Sequence, residues 1–160
     1  MRLHLCVVGR LRAGPERELI DDYLKRLERT GRPLGLGPAL EHEVEDRKGG
    51  GMEAEAALLT RACPAGAQRV MLDERGAVMT SPDFARRLAQ WRDGGTQDLA
   101  FFIGGADGLS PSLRDGTEAL SFGAMVWPHA LVRGMLAEQL YRAQCIRTGH
   151  PYHRAWRPDR

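Results

Sequence analysis

Short apolar runs recur along this chain, and between them apolar positions spread out to a spacing of three and four residues. The first pattern suits buried strands and the second amphipathic helices. Strands are predicted at Leu3–Val8, Leu40–Val44, Arg69–Asp73, Leu99–Ile103 and Ser121–Trp127. A helix opens at Pro15, puts Leu19, Ile20, Tyr23, Leu24 and Leu27 on one face, and ends at Gly31-Arg32-Pro33. Another carries Met52, Ala56, Leu59 and Cys63, and Pro64-Ala65-Gly66 closes it. Ser81-Pro82 starts a third, lined by Phe84, Leu88 and Trp91. A short helix is expected from Pro111 to about Leu120. A long one is expected from His129 to Arg147, burying Leu131, Val132, Met135, Leu136 and Leu140, with Gly149 as its C-cap. Glu74-Arg75-Gly76 reads as a turn, and Glu45–Gly51 as a charged, glycine-rich loop. Strands alternating with helices predict an α/β fold: one domain over 1–160, with a mostly parallel sheet flanked by helices.

The stretch Asp98–Ser110 organises the rest. Leu99–Ile103 is too short for a helix and rich in aromatic and β-branched side chains, as a buried strand requires. Gly104 and Gly105 end it abruptly, which serves either a tight turn or a ligand lying against bare backbone. Ser110-Pro111 then reads as an N-cap and first helical residue. Strand, glycine turn and helix together form the edge at which open α/β sheets hold ligands.

Hydrophobic residues at 42% and charged residues at 28% are ordinary for a soluble globular chain, and no apolar run reaches membrane-spanning length. Cys6, Cys63 and Cys145 lie far apart among apolar neighbours, which fits reduced thiols in the cytoplasm better than disulfides. The net charge of +2 conceals an asymmetry. From Arg133 to Arg160 six arginines face only Glu138 and Asp159, a net +4. Arginine forks clustered in this way suit phosphates and RNA bases.

Several chemistries lack their supports. A dinucleotide fingerprint counted from Gly104 falls on Ala106 and Leu109, so its glycines are missing. There is no Gly-Lys-Ser/Thr for a phosphate loop and no Gly-x-Ser-x-Gly nucleophile elbow. Cys145, His150 and His153 match no zinc spacing, so no metal is expected.

Three stretches taken together carry a resemblance. They are Phe102-Ile103-Gly104-Gly105-Ala106-Asp107-Gly108-Leu109, then Trp127-Pro128-His129 leading to Arg133 and Glu138–Ala143, and finally His150-Pro151-Tyr152-His153-Arg154. The chain resembles, from Leu3 to Arg154, the small SPOUT-type methyltransferases that methylate N3 of a pseudouridine in 23S rRNA. That resemblance implies a deep trefoil knot over roughly 70–154, S-adenosyl-L-methionine as cofactor, a homodimer, and a basic tail at 150–160. Carried over by position, it places the cofactor among Leu72, Gly104, Gly105 and the bend Gly123, Ala124, Met125, Val126, Trp127 and Pro128. Tyr152, His153 and Arg154 become the catalytic candidates, with Glu138 and Arg142 in support. The chain departs from the family pattern at the broken stretch Leu34–Val44, at Ala106-Asp107 and in the extension Ala155–Arg160.

In this reading Arg154 binds the base or a flanking phosphate, and His153 either accepts the proton or hydrogen-bonds the base. Tyr152 either stacks on a base or pins the tail to the core. Glu138 and Arg142, four apart on a helix, form by default a surface ion pair. His129 reads as a cap or packing residue. With no separate RNA-binding module, one subunit's tail and its partner's surface are expected to build the RNA groove jointly, on an assembled 50S subunit or 70S ribosome. The alternatives are a SPOUT enzyme acting on another nucleotide, such as a tRNA ribose, or a non-enzymatic ribosome-binding factor.

Overall fold

The computed structural model describes residues 1–154. The extension 155–160, expected to complete the basic tail, lies outside them. Five parallel strands form one sheet in the order β2-β1-β4-β3-β5. They are β1 (Arg2–Val8), β2 (Ala39–Val44), β3 (Gln68–Val78), β4 (Asp98–Ile103) and β5 (Thr117–Ser121). The helices are α1 (Pro15–Gly31), α2 (Gly51–Ala62), α3 (Ser81–Asp93) and α4 (His129–Thr148).

β4 lies at the centre of the sheet and is buried along its whole length. Its alternate side chains therefore enter two cores. Leu99, Phe101 and Ile103 pack with Leu3, Leu5 and Val7 against Leu27, Phe84, Leu88, Leu136 and Leu140 of α1, α3 and α4. Ala100 and Phe102 turn the other way with Cys6 and Met71, onto Ala56 and Leu59 of α2 and onto Leu109 and Leu113. The α2 side is thus covered partly by loop.

Helix ends follow local chemistry. Thr80, one residue before the predicted cap, accepts the Asp83 N–H and opens α3 with Pro82 in its first turn. Gly149 closes α4 in the left-handed conformation, as predicted.

Three expected elements come out differently. Pro111 opens only a single 3₁₀ turn, Pro111–Leu113, because Asp115-Gly116 breaks the helix and Thr117–Ser121 pairs with β3. The apolar run Ser121–Trp127 is consequently a strand only at its first residue, and the remainder is a bend. Glu74-Arg75-Gly76 is a bulge within β3, since both Leu72 and Ala77 register against Leu120. A Cβ on Gly76 would lie 2.7 Å from the backbone of Ala119 and Leu120, so only glycine passes there. Leu72 therefore sits within its strand, not at the end. Leu131 and Leu19, expected in the core, are exposed on neighbouring helices.

Among the described residues no helix is long and apolar enough to cross a membrane.

Candidate active site

At the C-terminal edge of a parallel sheet the strands stop, leaving backbone amides and a crevice that the helices do not fill. Here that edge holds a pocket of about 470 Å³, lined by Leu72, Asp73, Ile103, Gly104, Gly105, Gly123, Met125, Val126, Trp127 and His129 among others. A volume of this order suits a nucleoside-sized ligand. Its floor is bare main chain. A Cβ on Gly104 would lie 2.4 Å from the Gly108 carbonyl oxygen, across the turn that Gly105 and Gly108 bridge. At Gly105 the same atom would meet Val8 at 3.1 Å and the Glu55 carboxylate at 3.2 Å. Close approach of backbone demands glycine at 104, whereas at 105 the Val8 and Glu55 side chains would have to give way slightly.

The opposite wall is the bend after β5. Ser121 Oγ accepts the Gly123 N–H at 3.0 Å, turning the chain at a glycine with φ 119°. Met125 is 70% exposed and Val126 84%, which is costly for large apolar side chains unless something covers them. The expected donor-site residues Leu72, Gly104, Gly105, Gly123, Met125, Val126 and Trp127 all face this pocket, with Ala124 and Pro128 in the same bend. His129, expected to cap or pack, lines it as well, and the α4 N-cap position is Pro128 without a side-chain bond.

Asp73, which belongs to no motif, lines this pocket as well. Its carboxylate is nearly fully buried and takes Arg75 Nε and Nη2 at 2.9 Å each, with Arg114 Nη2 at 3.0 Å. The hydrogen-bonded Arg75 guanidinium holds its pKa below the usual carboxylate range against the opposing effect of burial. The pair Asp73-x-Arg75 is local, but the link to Arg114 has no signature in the chain.

The tail residues gather elsewhere. Tyr152 folds back onto α4, its hydroxyl 2.9 Å from Glu138 Oε1 and 2.9 Å from the Tyr23 hydroxyl. Its ring stands edge-on to Tyr141 at 4.9 Å, and the Arg142 guanidinium lies 4.8 Å from the ring centre. Burial and these bonds push the Tyr152 phenol above its usual pKa. Arg142 Nε donates to Glu138 at 2.8 Å, so the default ion pair is present but shared with Tyr152. Arg142 Nη1 reaches His153 Nδ1 at 3.4 Å. An arginine can only donate, so Nδ1 accepts and a neutral His153 carries its proton on Nε2. Arg154 is exposed.

None of Glu138, Arg142, Tyr152, His153 or Arg154 lines the glycine-edged pocket. Glu138 instead borders a second, largely apolar groove of about 450 Å³ between α1, α4 and the end of β3, with Leu19, Tyr23, Val78, Leu131 and Met135. Leu120, Phe122 and Gly123 line both cavities, which therefore lie back to back. Among the described residues no group of three or more His, Cys, Asp or Glu side chains is arranged to hold a metal ion.

A parallel α/β sheet with a glycine-lined pocket at its C-terminal edge defines a class: proteins that hold a nucleotide-type ligand at the ends of their strands. The family model described as "Predicted SPOUT methyltransferase" matches residues 1–153. The chain is 68% identical over 155 residues to the Ribosomal RNA large subunit methyltransferase H of Dinoroseobacter shibae, covering 96% of this chain and 99% of that one. It is 66% identical over the same shares to the protein of that name from Ruegeria pomeroyi. Among solved structures, a putative methyltransferase from Legionella pneumophila in complex with SAM aligns at 14% identity and a TM-score of 0.46, over 89% of this chain and 66% of that one. The chain belongs to the SPOUT methyltransferase family.

Proposed function

We propose that this protein is an S-adenosylmethionine-dependent rRNA methyltransferase acting on N3 of a pseudouridine in the large ribosomal subunit, as a cytoplasmic homodimer. The observation that carries the reading is the pocket floored by Gly104 and Gly105 and walled by Met125, Val126 and Trp127, in a chain two-thirds identical to rRNA methyltransferases over nearly its full length. Backbone amides and apolar walls suit an adenine ring, and the exposed Met125 and Val126 gain cover when it binds. The deep knot of the C-terminal half belongs to the same reading.

The bound donor supplies an electrophilic methyl group: the N3–C bond forms as the S–C bond breaks, and the electron pair stays on sulfur. The chain's task is alignment, exclusion of water and loss of the N3 proton. Arg154 stabilises the base anion or its phosphate. His153, whose Nδ1 is taken by Arg142, offers its Nε2–H to the base as a hydrogen-bond donor, and the proton leaves to solvent. Tyr152 pins the tail, and Glu138 and Arg142 hold Tyr152 and His153 in place. The apolar groove beside this cluster is the dimer face, across which one subunit's tail reaches its partner's donor pocket.

Transfer of labelled methyl from S-adenosylmethionine to ribosomes lacking the modification, followed by nucleoside mass spectrometry, tests the reading. The expected product is a methylated pseudouridine in large-subunit rRNA, formed more efficiently on assembled particles than on free rRNA. Methylation of a ribose, or no transfer together with no donor binding, overturns it.

A further inference from the structure

The floor of the donor pocket is a loop, Gly104 to Leu113, and loops of this length need an anchor to hold a ligand in one geometry. Its apolar anchors are Leu109 and Leu113, which pack on Ala56 and Leu59 of α2. Its polar anchor lies on the first turn of the same helix. Ser110 is 1% exposed, caps the Pro111 turn by accepting the Ser112 N–H at 3.0 Å, and donates its own hydroxyl proton to Glu53 Oε1. Ser112 Oγ donates to Glu53 Oε2 at 2.9 Å. One carboxylate thus grips two hydroxyls of the pocket loop from a helix more than fifty residues earlier in the chain. Glu53 is itself exposed and outside the pocket wall, whereas its neighbour Met52 lines that wall.

We propose that Glu53 is a positioning residue for the methyl donor, acting through Ser110 and Ser112 on the loop that carries Gly104 and Gly105. The inference rests on the pocket being the donor site. It assigns Glu53 no contact with the donor. Both oxygens of this exposed carboxylate go to the pocket loop. Among the described residues it has no other partner in α2 or β2. Once the carboxylate is removed, the Ser110 and Ser112 hydroxyls keep only each other at 2.8 Å, and the loop loses its polar tie to α2 while Leu109 and Leu113 still pack on that helix. A shift of about 1 Å in a positioning element costs up to roughly 100-fold in rate.

Donor and product binding are measured by calorimetry with S-adenosylmethionine and S-adenosylhomocysteine, alongside steady-state methyl transfer to ribosomes. The proteins are wild type, Glu53→Ala, Glu53→Gln, Ser110→Ala and the Glu53→Ala/Ser110→Ala double variant. Expected are a roughly 10-fold weaker donor Kd and a raised donor KM for Glu53→Ala, an unchanged KM for ribosomes, and little change in Tm. Glu53→Gln, which still accepts one hydroxyl, is expected to recover part of the loss. Because the two residues share the Ser110–Glu53 bond, the double variant should lose clearly less than the product of the two single losses. Glu53→Ala binding the donor as wild type does, or multiplicative losses in the double variant, overturns the inference and leaves the pocket assignment standing. Failure of the wild type to bind the donor overturns the pocket assignment, and the inference falls with it. Should Glu53→Ala fail to fold, Glu53→Gln and the exposed Ser112→Ala supply the same readout, with a smaller loss expected.

Discussion

Among the described residues Arg133 is the largest fully buried side chain, at 1% exposure, and a charge there is tolerated only because it is paired. Its Nη1 lies 2.7 Å from Glu43 Oε1 and its Nη2 donates to the Gly9 carbonyl at 3.0 Å. It thereby ties α4 to the end of β1 and to the edge strand β2. Arg133→Met keeps the apolar stem and deletes the charge, leaving Glu43 and the Gly9 carbonyl without that partner. Removing one member of a buried pair typically costs about 3–5 kcal/mol. Glu43 keeps the Leu11 N–H at 3.0 Å and a 26% exposed side chain, so the lower end, about 3 kcal/mol, is expected. Adding Glu43→Gln removes the stranded charge and should restore about 1–2 kcal/mol.

The pH dependence carries the sign. In the wild type burial pushes the Glu43 pKa up, but the Leu11 N–H, Arg133 and the Arg17 charge together outweigh it, and the net direction is below the usual 4.5. Its contribution is therefore present above the unfolded value and lost as pH falls through the lower folded one. Without Arg133 only the Leu11 N–H and the Arg17 charge still oppose burial, so the depression of the folded pKa is smaller and less of this term is lost on acidification. The stability gap between wild type and Arg133→Met should accordingly shrink from pH 7 to pH 4. Urea denaturation at fixed protein concentration measures it. A gap below about 1 kcal/mol at pH 7, a gap independent of pH, or a double variant no more stable than Arg133→Met refutes the reasoning.

Other outcomes follow from the same geometry. Gly104→Ala places a methyl 2.4 Å from the Gly108 carbonyl oxygen, and donor affinity measured by calorimetry should fall at least about 10-fold. Truncation after Gly149 should leave donor binding unchanged and abolish methyl transfer; transfer at the wild-type rate would remove the tail from the mechanism. Leu131→Arg or Met135→Glu in the apolar groove should convert a dimer to monomers in sedimentation and stop turnover, and an active dimer would locate the interface elsewhere. Asp98, held at a pKa of about 2 by Arg2 with His4 in support, stabilises the fold above its ordinary value near 3.8, and this is lost as pH falls toward 2. Asp98→Asn should flatten that acid limb in thermal melts followed between pH 5 and pH 2.

Much of this protein was legible in its residues alone. Leu99–Ile103 is apolar on both faces because β4 is covered on both, and a central parallel strand is the main structure with that demand. The alternation of strands and helices, the glycine pair and the Gly149 cap are equally local, since each depends on a few consecutive backbone angles. Met125-Val126-Trp127 misled for a physical reason: hydrophobicity marks surface that must leave water, and it does not say whether protein or ligand will cover it. Only the tertiary structure decided that β3 bulges over Leu120, that Asp73 collects Arg114, that Glu53 grips Ser110, and that Tyr152 folds onto Glu138 and Tyr23. Those contacts join residues that are polar wherever they stand and far apart in the chain. Hydrophobic periodicity records which face leaves water, whereas the choice of polar partner is made only when packing brings the two groups within hydrogen-bonding distance.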